Sequence, residues 1–153
     1  MTRRYALAGA IALGVVIVDL LTKRYAALNF KGNPVEVIPG FLEFTYVENP
    51  GGAFGSFPGG GTVIAVAAIV VTIGVLFALS RHRSTLEIVS LGLVLGGAVG
   101  NLIDRFARGD GLIDGSVIDW INLWFIPTFN VADASVTIAV ALLLIEAWRT
   151  RSN

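Results

Sequence analysis

Hydrophobic runs dominate the chain. Apolar residues extend from about Tyr5 to Ala27, from Thr62 to Leu79, from about Leu86 to Ile103 and from about Val131 to Trp148. The second run has 18 residues and no charge. As a helix rising ~1.5 Å per residue it spans roughly 27 Å, close to the hydrocarbon thickness of a bilayer. Lipid forces a spanning backbone to hydrogen-bond to itself, so all four runs are predicted transmembrane helices. Between the first two runs, Val35-Glu36-Val37 and Phe44-Thr45-Tyr46-Val47-Glu48 read as strands, with a turn at Pro39-Gly40. The connection before the last run holds Gly109, Gly111 and Gly115, then Trp120, Trp124 and Phe125. Tryptophan favours the membrane–water boundary, so this segment is expected to be a loop lying along it. The fold class is an all-α membrane protein: four transmembrane helices with a small extracytoplasmic β-sheet and an interfacial loop. No repeat or low-complexity tract divides residues 1–153, which form one domain.

Composition sharpens this. Of 153 residues, 55% are hydrophobic and only 14% charged, where a soluble domain carries roughly 25% charged residues. The formal net charge of +0 gives no bias toward nucleic acid. Absence of cysteine excludes thiol catalysis, disulfides and thiolate metal sites. The one histidine, His82, sits between Arg81 and Arg83 in a short basic loop. That position disfavours a histidine triad or a histidine-rich metal site, and no metal or cofactor is expected.

Charge placement gives an orientation. Arg3 and Arg4, Arg81 and Arg83, and Arg149 and Arg151 fall on one side, with Glu87 and Glu146 as its acids. The other side, with its helix ends, carries five basic and nine acidic residues. The clustered arginines make the first side cytoplasmic, with both termini there. Arg3, Arg4 and the apolar run after them resemble a signal peptide. Asp19 interrupts that run, however, and no small-residue cleavage site follows cleanly.

Polar residues within or beside the spans require explanation. Asp19 and Lys23 are four apart and can pair on one helix face, either as a structural ion pair or as part of a site. Asn49-Pro50-Gly51-Gly52-Ala53-Phe54-Gly55 is a turn whose small residues also admit a close ligand. Gly96-Gly97-Ala98-Val99-Gly100 permits close helix packing, and Asn101 and Asp104 after it share a face. Arg105 can neutralise Asp104 or anchor the helix end. Asn130 suits a helix N-cap and Asp133 a first turn, while Asp119 alone reads as a solvated loop residue. The functional reading comes from bringing Asp119 and Asp133 together at one outer rim. Two adjacent carboxylates share a proton. The charged one takes a proton from water and the protonated one donates to a carbonyl, which amounts to amide hydrolysis without a covalent intermediate. A transporter or channel lined by Asp19, Lys23, Asp104 and Asp133 is the rival class. It would need polar residues through the membrane, and the second run offers only Thr62 and Thr72. A non-enzymatic membrane scaffold is a third class, and it would tolerate loss of either aspartate.

Five stretches in order resemble one known family. They are Asp19-Leu20-Leu21-Thr22-Lys23, Asn49 to Gly55, Gly100-Asn101-Leu102-Ile103-Asp104-Arg105, Gly115-Ser116-Val117-Ile118-Asp119-Trp120 and Phe129-Asn130-Val131-Ala132-Asp133-Ala134-Ser135. The family is bacterial lipoprotein signal peptidase, or signal peptidase II. The resemblance implies a membrane aspartic endopeptidase of the bacterial cytoplasmic (inner) membrane, with its active site near the outer face. It implies a substrate, prolipoprotein already carrying diacylglycerol, cut just before the lipidated cysteine. It implies a catalytic pair at Asp119 and Asp133, with Asp19, Lys23, Asn49, Gly52, Asn101, Asp104, Arg105 and Asn130 shaping the site or contacting substrate and inhibitor. Membrane lipid and the inhibitor globomycin are the other implied partners, and the protein is expected to be a monomer. The chain departs from the family in three places. Leu20 replaces a common Gln, Pro50 and Gly52 alter a common Asn-Thr-Gly-Ala-Ala-Phe, and Trp120 replaces a common Phe. The stretch Gly109 to Asp114 looks like an insertion. It makes Asp114 a decoy, and the spacing from Gly115 to Asp119 favours Asp119.

Overall fold

The computed structural model describes residues 2–51, 60–81 and 84–151. Gly52 and the rest of 52–59 lie outside the described residues, as does His82. The elements follow in the order α1 (Thr2–Asn29), β1 (Val35–Ile38), β2 (Leu42–Asn49), α2 (Gly61–Leu79), α3 (Thr85–Ala107), β3 (Val117–Leu123), β4 (Ile126–Phe129) and α4 (Val131–Arg151). All four helices are long and apolar enough to cross a membrane. Their outward faces carry Leu13, Ile17, Leu21, Val70, Ile73 and Leu144 in the open. In water that would be an aggregation surface, whereas in lipid it is the expected exterior.

α3 is the central helix. It is 39% buried over its most apolar stretch, against 17% for each of the other three. Glycines make that position possible. A methyl group added at Gly92 would meet the Ala8 carbonyl oxygen at 2.9 Å, and one at Gly96 would meet Val15 Cβ at 2.7 Å, so α1 lies directly on α3. On the other face, a Cβ at Gly97 would stand 2.5 Å from the Ala132 carbonyl oxygen and 2.6 Å from Ser135 Oγ. Gly97→Ala is therefore expected to push the start of α4 away from α3 and to destabilise the fold by about 1–3 kcal/mol. Thermal unfolding in detergent checks this, and an unchanged midpoint would count against the packing described here.

Helix α3 opens on a reciprocal side-chain cap. Ser84 Oγ accepts from Glu87 N (3.1 Å) and Ser84 N donates to Glu87 Oε2 (2.8 Å), a capping box that starts α3. At the same end of the bundle, Arg4 Nη1 donates to the Arg81 carbonyl, tying α1 to the end of α2.

The extramembrane part contains more strand than expected. The hairpin β1–β2 turns at Gly40, whose φ of 65° suits glycine, and Gly40 N donates to Glu36 Oε1 at 2.6 Å. The connection between α3 and α4 is not simply an interfacial loop. Its second half folds back as β3 and β4, giving one antiparallel sheet in the order β1-β2-β3-β4. The pairing of β2 with β3 includes Val47 with Asp119 and Asn49 with Val117. Trp124 and Phe125 sit at the exposed tip of the β3–β4 turn, 72% and 56% accessible, as suits an interfacial anchor. Phe44 packs against Phe30 (5.7 Å between centroids) and Trp120 (5.2 Å), seating the sheet on the end of α1.

Candidate active site

The sheet register turns Asp119 inward. Its side chain is on the buried middle strand, 3% exposed, rather than in a solvated loop. Asp119 Oδ2 accepts from Asn49 Nδ2 at 3.0 Å and Oδ1 accepts from Asn130 Nδ2 at 2.6 Å. The opposite strand and the start of α4 thus each supply one amide. Burial pushes the Asp119 carboxyl up from 3.8 to about 6. The nearby Asp133 charge adds to that rise, and the two amides and Lys23 oppose it.

Asp133 occupies the first turn of α4 and does cap it. Asp133 N donates to Asn130 Oδ1 (3.0 Å), and Asn130 N donates to Asp133 Oδ2 (3.3 Å). Capping and site membership are compatible, because the other oxygen, Oδ1, accepts from Asn101 Nδ2 at 2.8 Å. Asn130 and Asn101 also meet, Nδ2 to Oδ1, at 3.2 Å. The two aspartates are therefore joined through two shared asparagine amides whose orientations are fixed by their partners. Both carboxylates line a single cavity of about 710 Å³. Its apolar wall comes from α2 (Ala67, Ala68, Val71), α3 and α4, and its polar rim includes Asn49, Asn101 and Arg105.

A charged cluster lies behind Asn101. Lys23 Nζ is 2.7 Å from Asp19 Oδ2, 2.9 Å from Asp104 Oδ2 and 3.0 Å from Asn101 Oδ1. The buried ammonium thus donates to the Asn101 oxygen and stands at ion-pair distance from two carboxylates. Asp19 Oδ1 accepts from Ala132 N (2.9 Å), which ties α1 to the start of α4. Asp104 Oδ2 also accepts from Ile118 N (3.2 Å), which ties α3 to β3.

Arg105 does not pair with Asp104. Its Nη1 donates to the Gly115 carbonyl at 3.0 Å, fixing the chain as it enters β3. Arg108, one helical turn on, takes Asp104 Oδ1 at 2.9 Å. Arg108 belongs to none of the motifs above, and its spacing of four from Asp104 is the one signal of this pairing in the sequence. The decoy Asp114 is exposed and accepts from Gly111 N at 2.9 Å, holding its own loop. Of the expected site residues, Asp19, Lys23, Asn49, Asn101, Asp104, Arg105, Asp119, Asn130 and Asp133 gather around this cavity or directly behind it. Gly52 falls outside the described residues.

The family profile described as Signal peptidase (SPase) II matches residues 11–149. The chain is 40% identical to the lipoprotein signal peptidase of Rhodococcus jostii over 94% of its own length and 73% of that protein's. It is 40% identical to the one of Symbiobacterium thermophilum over 89% and 90%. A solved structure described as a bacterial membrane enzyme, determined by the in meso method at 2.3 Å resolution, superposes with a TM-score of 0.84. That similarity has 33% identity and covers 95% of this chain and 90% of that one.

Proposed function

The chain belongs to the signal peptidase II family, membrane-embedded peptidases that remove signal peptides from prolipoproteins, and from that premise we propose that Asp119 and Asp133 are its catalytic pair. The observation that carries this reading is the joining of the two carboxylates, from different elements, across one cavity by the amides of Asn130 and Asn101. Asp119, the more deeply buried, serves as the acid that brings the shared proton, and Asp133 serves as the base. In the reaction Asp133 takes a proton from water as its oxygen attacks the scissile carbonyl. Asp119 gives its proton to the carbonyl oxygen, forming a neutral gem-diol. Asp133 then protonates the leaving nitrogen, the C–N bond breaks, and the proton of one diol hydroxyl returns to Asp119.

The supporting residues divide by contact. Asn49 and Asn130 hold the Asp119 carboxyl, and Asn101 holds Asp133. Asp19, Lys23 and Asp104 fix the helices that carry them, and Arg105 presents its charge to the cavity rim. Gly52 belongs to the same group by its place in the Asn49 motif. The substrate is prolipoprotein whose cysteine already carries diacylglycerol, cut just before that cysteine. The apolar wall formed by α2, α3 and α4 suits a lipid-borne substrate and the cyclic peptide globomycin. The enzyme acts as a single-domain monomer of the bacterial inner membrane, with the arginine-rich ends and both termini cytoplasmic and the dyad at the outer face.

The purified chain in lipid is expected to cleave a diacylglyceryl-modified prolipoprotein, to be blocked by globomycin and to be indifferent to a chelator. Its kcat/KM should decline as pH rises through and above about 6, where Asp119 gives up its proton. An uncut precursor would overturn the assignment. Chelator sensitivity would point to a metal enzyme, and a rate that climbs steadily from pH 6 to 9 would exchange the acid and base roles.

A further inference from the structure

A substrate cut at this site must present an unwound peptide to the dyad. Its backbone N–H and C=O groups then stand in a mostly apolar cavity, where each unpaired group is costly. The walls differ in what they offer. Past their first turns the backbone groups of α2, α3 and α4 are consumed by their own helical ladders, and in the first turn of α4 Ala132 N and Asp133 N are taken by the Asp19 and Asn130 side chains. β3 lies between β2 and β4 in the sheet. The stretch of β3 that β4 leaves uncovered is already closed by side chains, since Ile118 N donates to Asp104 Oδ2 and the Ile118 carbonyl accepts from Asn130 Nδ2.

β4 is different. It is the last strand of the sheet, and all four of its residues, Ile126, Pro127, Thr128 and Phe129, line the catalytic cavity. Its ladder with β3 pairs Phe129 with Ile121 and Ile126 with Leu123, with an irregularity between the two pairs. Among the described residues its far side carries no further strand. Pro127 lacks an N–H, as is common on an edge strand. Asp119 is two residues beyond Ile121, the partner of Phe129, and Asn130 follows Phe129 directly. A strand laid along β4 and continued past Phe129 therefore arrives at the dyad. Four residues of strand extend roughly 13 Å, enough to align several residues beside the scissile bond.

We propose that the substrate segment carrying the scissile bond binds as an added strand on the free edge of β4, main chain to main chain, and that this pairing delivers the bond to the aspartates. This rests on the dyad reading above and adds to it. Recognition by backbone pairing tolerates varied side chains while fixing the register of the cut. It also keeps the unwound segment paired at the membrane rim.

The test is an ester scan of the substrate. In a diacylglyceryl-modified prolipoprotein peptide, the amide N–H of each of five consecutive residues before the scissile bond is replaced, one at a time, by an ester oxygen. The full-length enzyme in lipid then cleaves each peptide. Strand addition predicts a period of two: every second replacement lowers kcat/KM about tenfold, mainly through KM, and the intervening ones change it less than about twofold. Cleavage of the unmodified peptide with no alternation along the scan overturns strand addition and leaves the dyad reading intact. Failure to cleave the unmodified peptide overturns the dyad reading instead.

Discussion

Asp119→Asn and Asp133→Asn should each reduce cleavage of diacylglyceryl-modified prolipoprotein by more than about a thousandfold, on the order of 4 kcal/mol or more of barrier, while leaving the protein folded. Neither variant retains a dyad able to share one proton between two carboxyls. The two should differ in stability. Asp119 is buried, and its carboxyl is pushed up to about 6 from 3.8, which corresponds to about 3 kcal/mol of charge-burial cost at neutral pH. A raised carboxyl favours the folded state below its unfolded value, and that advantage fades as pH rises through about 6. The wild type should therefore lose thermal stability between pH 4 and pH 7, and Asp119→Asn should show a flatter profile. The new amide would oppose one of the donors, Asn49 or Asn130, and this offsets about 1–3 kcal/mol of the relief. The variant is thus expected to be about as stable as the wild type at pH 7. Asp133→Asn instead removes a charge from the first turn of α4, where an acid suits the helix dipole, and is expected to cost about 0.5–2 kcal/mol. Cleavage assays beside melting curves at several pH values decide it. Substantial turnover by either variant removes that residue from the catalytic pair.

What the sequence discloses and what it hides follow from distance along the chain. Four spans are legible because each is a continuous apolar run. The Asp19–Lys23 pair is legible because four residues make one helical turn, and the Asn130–Asp133 cap because three do. Asp119 is the contrary case. Its burial depends on Val47 lying opposite it, from the far side of two helices, and no local pattern encodes that register. The same long-range pairing converts half of an expected interfacial loop into β3 and β4. Arg108 is hidden for another reason. Beside a run of glycines it reads as loop, yet it sits one turn beyond Asp104 at the end of α3 and shares that carboxylate with Lys23. Local chemistry thus points to the candidate residues. Which asparagine holds which aspartate emerges only when β2, β3, α3 and α4 converge.

Lys23→Met should be the most destabilising of the substitutions considered, by about 3–5 kcal/mol. Lys23 is 1% exposed, and its partners Asp19 and Asp104 are 0% and 1% exposed. Methionine fills much of the stem's volume, so the effect isolates the lost charge rather than a cavity. Two carboxylates would then remain out of water without their common cation. Asp19 would keep only the Ala132 N–H, while Asp104 would keep Arg108 and the Ile118 N–H. Asp19 is therefore the more orphaned, and adding Asp19→Asn to Lys23→Met should recover part of the loss. The same addition to the wild type should instead destabilise, since it weakens an intact pair. That change of sign is what a coupled buried network predicts and what two independent surface charges would not. Denaturation of the four proteins in a single detergent supplies the cycle. A loss below about 1 kcal/mol for Lys23→Met, the range of an exposed ion pair, would contradict the buried network. Cleavage should fall with stability, because Lys23 also holds the oxygen of Asn101, whose nitrogen holds Asp133. Raising the lipid content or lowering the temperature enough to refold the variant should restore only part of the rate, leaving a residual defect from the freed Asn101 amide.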